Sequence, residues 1–171
     1  DILRDAKTVR HAAILAPVEH PDYPAEAALG SEMRGAHKAL VESHVQFDIL
    51  SSQNVEALAE YDYLLLCGSH DYAGELFPAL REWVKDGGTL IAVGESPMTG
   101  ENRFELEDVL GIEYLEPSVF SVSHFRPHRE IRGETDDLAL QLRGGSVKVI
   151  PESAEVLADY IYPQIESTSE Y

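Results

Sequence analysis

The chain has 171 residues with 31 Asp+Glu against 13 Lys+Arg, a formal net charge of −18 and a sequence pI of about 4.6. No Lys or Arg stands between Lys38 and Arg81 while seven acids do, so nothing there can track a phosphate backbone, and the same charge opposes docking on anionic membranes. An apolar share of 44% excludes a disordered acidic chain, and the length suits one domain with a core of its own.

Four short apolar runs organise the first half. They are Ala12–Ala16, ended by Pro17; Val45–Leu50; Tyr63–Cys67, ended by Gly68-Ser69; and Thr89–Val93, set between Gly87-Gly88 and Gly94. The second alternates like a strand exposed on one face; runs apolar on both faces read as buried parallel strands. Between them the period becomes helical. Leu29, Met33, Ala36 and Leu40 form one stripe on a helix ending near His44, and Leu76, Phe77, Leu80, Trp83 and Val84 form another, stopped by Gly87-Gly88. A short helix is expected between the second and third strands. This alternation predicts an α/β fold, a mostly parallel sheet with helices on both sides.

The second half is less regular. Phe104–Leu110 predicts a short helix ended by Gly111, and strands are expected at Ile112–Leu115, Val119–Val122 and Val147–Ile150, with a last strand or helical turn in Ala154–Tyr160. The reading is a single domain over residues 1–163, excised from a longer protein, with 164–171 as linker or frayed end. The lone cysteine, Cys67, has no disulfide partner in the chain, no Cys/His spacing fits zinc, and neither a transmembrane run nor a signal peptide is visible. A cytoplasmic setting and no cofactor are expected.

In an open parallel sheet, ligands gather at the carboxyl ends of the strands. That places Gly68, Ser69 and His70 after the third strand, and Gly94, Glu95 and Ser96 after the fourth, in one candidate pocket with Arg103. Cys67 reads as the last buried residue of its strand, where a free thiol is a small hydrophobe; the rival reading makes it, or Ser96, a nucleophile with His70 as base. Ser96 is otherwise a polar pocket residue or a helix cap, since Gly-x-Ser-x-Gly is not met. His124 and His128 have helical metal-ligand spacing, but Pro127 between them opposes a helix. Glu26 and Glu32 read as surface acids of the first helix.

Arg126, Arg129 and Arg132 concentrate three of the 13 basic residues within seven positions. The plain reading is an exposed edge strand or loop whose arginines balance local acids. The sharper one is an intersubunit or interdomain contact, because arginine favours interfaces.

Several segments together resemble the β-galactosidase trimerisation domain, a class I glutamine amidotransferase-like fold. They are Glu32–Gly35, Ala39–Leu50, Tyr61–Leu66 and Leu80–Glu95, continued by Asn102–Ile112, so residues 10–112 are covered well and 147–163 loosely, with Glu155–Ala158 matching a recurrent strand. The resemblance implies a three-layer α/β/α, flavodoxin-like fold. It also implies a non-catalytic domain, because active amidotransferases carry a cysteine at the elbow after the strand matching Leu90–Val93, and this chain has Gly94 there. What it implies positively is assembly as a homo-oligomer, dimer or trimer, beside a catalytic barrel whose substrate cleft it helps to wall. Carbohydrate is the expected small-molecule partner, with a Cys- or Ser-dependent hydrolase or a sugar-binding module as the alternatives. Four Lys against nine Arg further suggests a salt-adapted source.

Overall fold

The apolar runs of the first half become strands because the central ones are buried on both faces, which requires cover on either side of a sheet. The computed structural model describes residues 10–16, 31–67, 72, 75–98, 104–133, 137–144 and 146–162, and the chain divides into two compact units, Asp1–Val109 and Leu110–Tyr171. Among the described residues no helix is long and apolar enough to cross a membrane.

In the first unit β1 (Ala12–Ala16), β2 (Phe47–Ser51), β3 (Tyr63–Cys67) and β4 (Thr89–Val93) make a parallel sheet in the order β2-β1-β3-β4. In register, Ile14 lies between Ile49 and Leu65, and Leu65 lies beside Ile91. Successive side chains point to opposite faces, yet Ala13, Ile14, Leu15, Leu64, Leu65, Leu66 and Cys67 are all buried. The edge strands are more open, with Ile49 and Ile91 exposed.

The helical stripes do what their spacing predicts over the described residues, with Leu29 of the first lying outside them. Helix α1 (Ser31–Glu42) sets Met33, Ala36 and Leu40 against Ile14, Leu65 and Cys67. It stops without glycine: His44 takes the left-handed conformation (φ 56°), and the N–H groups of His44 and Val45 donate to the Val41 and Leu40 carbonyls. A 3-10 helix over Val55–Glu60 buries Leu58. Helix α2 (Leu76–Lys85) buries Leu76, Phe77, Leu80 and Trp83, each of the larger side chains contributing roughly 1.5–3 kcal/mol of apolar burial. The Trp83 indole N–H donates to the Tyr61 carbonyl at 3.3 Å, fastening α2 to the entry of β3. One further turn, α3 (Glu107–Leu110), follows Leu106.

The second unit is antiparallel. Strand β5 (Ile112–Pro117) pairs with β8 (Val147–Pro151), with an irregularity between Tyr114 and Glu116, and β6 (Val122–Pro127) lies between β7 (Leu140–Arg143) and β9 (Ala158–Ile161). The one-turn α4 (Arg129–Arg132) follows β6. At the start of β5, the Gly111 carbonyl accepts from the N–H groups of Glu152, Ser153 and Ala154.

Four expectations change here. The helix expected over Phe104–Leu110 forms only over Glu107–Leu110, because Phe104 bridges Met98 and Leu106 is left-handed (φ 67°). The strand expected at Val119–Val122 begins only at Val122, because Ser118 folds back: its hydroxyl accepts from Phe120 N–H, and Val119 is 82% exposed. Residues Leu140–Arg143, unassigned from the sequence, form β7. The arginine segment begins not on an edge but on β6, the central strand of its sheet, and continues into α4.

Candidate functional site at the carboxyl edge of the sheet

The parallel strands end at Ala16, Ser51, Cys67 and Val93, and the strand order reverses direction between β1 and β3, where such sheets open a crevice. Of the sequence-derived pocket, Gly68, Ser69, His70 and Arg103 lie outside the described residues. Its described part is Gly94, Glu95 and Ser96, and the structure adds Cys67 and an acid from α1 to the same edge.

Cys67 closes β3 with its side chain fully buried (0% exposed) against Ile14, Met33 and Leu65. Burial, and then the charge of Glu32, push its thiol up to about 11, so almost none is thiolate at neutral pH. Its carbonyl accepts from the Tyr72 hydroxyl at 3.1 Å; burial, then the neighbouring Cys67, raise that phenol well above its ordinary value. Strand end, thiol and phenol form a packed, neutral floor.

Gly94 follows β4 in the left-handed conformation (φ 63°) and opens a tight turn. Ser96 is also fully buried, and its hydroxyl accepts from the Val93 N–H at 3.0 Å while its own N–H donates to the Val93 carbonyl. The turn is tied down again by the Met98 N–H to the Glu95 carbonyl and the Glu105 N–H to the Pro97 carbonyl, both 2.8 Å. Ser96 therefore secures the end of β4. It caps no helix, since residues 94–97 are turn, and its hydroxyl is directed inward to the strand end.

Glu32 is the residue that sequence reading missed. Expected as a surface acid, it is half-buried in the first turn of α1, bears electrostatically on Cys67, and lies so that a Cβ at Gly94 would meet its Cγ at 3.9 Å. The signal was its position, one residue before the buried Met33. Glu26 lies outside the described residues. Two carboxylates, Glu32 and half-buried Glu95, thus belong to an edge whose thiol is protonated. That arrangement accepts hydrogen bonds.

No group of three metal-ligating side chains occurs among the described residues. His124 and His128 stand four residues apart along extended backbone, about 13 Å. His128 instead pairs with Asp159 at 3.2 Å. Arg126 and Arg132 both reach Asp137, at 3.7 and 3.8 Å, while Arg129 is exposed on α4 with no ion pair among the described residues.

No protein-family model matches the sequence, and no curated protein matches it. Solved structures do. Alpha-L-fucosidase isoenzyme 2 from Paenibacillus thiaminolyticus matches with a TM-score of 0.75 and 21% identity over 91% of this chain and 24% of that one. A beta-galactosidase from Bacillus circulans sp. alkalophilus matches with a TM-score of 0.65 and 20% identity over 94% and 26% of the two chains. The exo-beta-1,4-mannosidase Op5Man5 from Opitutaceae bacterium strain TAV5 follows with 0.60 and 17% over 89% and 27%. The likeness is one of fold. The chain spans about a quarter of each of these proteins.

Proposed function

We propose that residues 1–163 are one non-catalytic accessory domain, class I glutamine amidotransferase-like, of a carbohydrate-active, β-galactosidase-like protein. The observation that carries this reading is the fold it shares with about a quarter of three glycoside hydrolase chains. Supporting it, the elbow after β4 holds Gly94 where an amidotransferase needs a cysteine, and the one thiol of the chain is buried and protonated. The finer fold reading, a three-layer flavodoxin-like sandwich, is supported by the strand order β2-β1-β3-β4 and by burial on both faces of β1 and β3.

In this role the domain joins subunits into a dimer or trimer beside a catalytic barrel in the cytoplasm. It presents Gly94, Glu95 and Ser96, with Gly68, Ser69, His70 and Arg103, as part of the wall of the substrate cleft. The two carboxylates of the edge suit hydrogen bonds from sugar hydroxyls. Deleting residues 1–163 from the parent protein tests this by light scattering after size exclusion and by glycosidase assay. A smaller assembly with reduced activity is expected; unchanged mass and unchanged activity overturn it.

A further inference from the structure

Strand β2 lies at one edge of the parallel sheet, and its outer side is open. The Ser52 N–H donates to the Ala16 carbonyl at 2.9 Å, so Asp48 and Leu50, which share the parity of Ser52, turn their backbone groups toward β1. Phe47, Ile49 and Ser51 turn theirs outward, and their N–H groups meet no partner among the described residues. Native edges are blunted by lysine, proline, bulges or inward charges. Phe47–Ser51 has no lysine, proline or bulge, and its one charge, Asp48, faces away from Ile49 and is paired with Arg10 at 2.7 Å.

The side chains over this edge are apolar. Ile49 lies beside Ile14 in register, on the face that α1 covers, yet it is 56% exposed. The edge-to-face contact of His37 with Phe47 sets one flank of α1 over β2. Val41, one turn after His37 on that flank, is 52% exposed, and Val45, two residues before Phe47, is 40% exposed. We propose that β2 pairs antiparallel with β2 of a second copy about a two-fold axis through Ile49, joining two four-stranded sheets into one. This deepens the assembly reading, on which its role in the parent protein rests, and of dimer and trimer it selects the dimer.

Two observations choose a copy as the occupant. The outward row is self-complementary: with Ile49 opposite Ile49 of the partner subunit, Phe47 falls opposite Ser51 of the partner subunit, so the residues that offer hydrogen bonds outward face one another across the axis. Charge is the second. Residues 33–51 hold Arg34 and Lys38 against Glu42 and Asp48, no net charge in a chain of −18, and Glu42 lies 3.7 Å from Lys38. Copies of so acidic a chain repel elsewhere and can meet here. A basic partner would be drawn to the acidic remainder of the surface instead.

The test is light scattering after size exclusion on the 171-residue chain, from about 1 μM to about 500 μM. A mass of twice 18.9 kDa that halves on dilution is expected. Ile49→Lys and Ile49→Glu, each setting like charges opposite one another, should weaken pairing by about tenfold or more alone and restore it when mixed. Val119→Lys, at an 82% exposed position of the second unit, should keep the wild-type mass. Amide hydrogen exchange needs no variant: the Ile49 N–H should be slow in the dimer and fast after dilution, and the Leu50 N–H, which faces β1, slow in both. A monomer at about 500 μM, unchanged pairing in Ile49→Lys, a mixture that stays monomeric, or an Ile49 amide equally fast at both concentrations overturns the proposal. Deletion of residues 1–163 reads the parent's assembly instead. Unchanged parent mass with a dimeric chain removes the assembly reading and keeps the contact; a smaller parent with a monomeric chain removes the contact and keeps the reading.

Discussion

Gly88 lies flat against the indole of Trp83, so that a Cβ at residue 88 would overlap the six-membered ring. The contact sits where α2 ends and β4 begins, and the Gly88 N–H donates back to the Trp83 carbonyl at 3.0 Å. Helix stop, turn and strand entry thus share one contact.

Gly88→Ala is expected to destabilise the first unit by about 1–3 kcal/mol through overpacking, only partly offset by the roughly 0.4–1 kcal/mol that alanine contributes by restricting the unfolded chain. Gly87→Ala, with φ 108° but open space around it, costs about 1–2 kcal/mol through the backbone alone. Urea unfolding followed by Trp83, the only tryptophan, separates the two: Gly88→Ala should also shift the native emission and Gly87→Ala should not. A Gly88→Ala variant with wild-type stability and emission would remove the packing account.

Arg81 forks onto Asp108, its Nε lying 3.2 and 3.0 Å from the two carboxylate oxygens, and reaches Glu105 at 3.6 Å. The hydrogen bond from Arg81 holds the Asp108 carboxyl below its ordinary value of 3.8, against a smaller opposing effect of burial. A depressed carboxylate contributes stability that is present above the unfolded value and lost as the pH falls through the folded one. Because Asp108 is mostly exposed, that contribution is below about 1 kcal/mol. Asp108→Asn should therefore be slightly less stable than wild type at neutral pH, with the gap closing only below 3.8; a gap independent of pH would mean the pair is not its source.

How much could be read from the residues alone follows from where burial is two-sided. Strands β1 and β3 announce themselves because Ala13, Ile14, Leu15, Leu64 and Leu66 have no polar neighbour along the strand to dilute the run, whereas β2 is legible from the alternation that Asp48 makes with Phe47 and Ile49. Strand β7 does not: all four of its residues are exposed, so Leu140 and Leu142 left a two-residue alternation that a loop could equally carry. None of the described apolar side chains in the second unit is buried, which is why periodicity weakens after Gly111. At the carboxyl edge, the turn after β4 was legible from Gly94. The inward approach of Glu32 was not, since it depends on how α1 crosses Cys67 and Gly94, a tertiary matter. Likewise α1 ends at His44, where a left-handed stop predicts glycine or asparagine; the hydrogen bonds to Val41 and Leu40 override that preference.

The Cys67 thiol should behave as a buried hydrophobe. Alkylation of native protein by iodoacetamide at neutral pH is expected to be slower than for a free thiol by about 100-fold, reflecting the raised value of about 11, and to reach the free rate in urea. The sign for stability follows from the same shift. An unfolded thiol, with its ordinary value of 9.0, loses its proton before the folded one, so stability falls as the pH rises from 9.0 toward about 11. The loss is on the order of 2 kcal/mol, and Cys67→Ala should not show it. Rapid stoichiometric labelling of native Cys67 would restore the nucleophile reading.

The last prediction concerns the arginine segment. Arg126 and Arg132 share Asp137 within their own unit, so each already has an ion pair there. Arg129, exposed and without an ion pair among the described residues, is the cation of this segment best placed for a carboxylate on a neighbouring subunit. In a chain of net charge −18, identical acidic surfaces repel, and a contact between copies has to use the few positions that escape the excess. On the proposed assembly role, Arg129→Glu should therefore weaken assembly of the parent protein by about tenfold or more, with the effect shrinking at high salt. Arg126→Gln removes an intramolecular pair and should leave the assembled mass unchanged. Light scattering at low and high salt decides it: if Arg129→Glu keeps the wild-type mass across the dilution range, this segment is a balanced surface and subunit contact lies elsewhere.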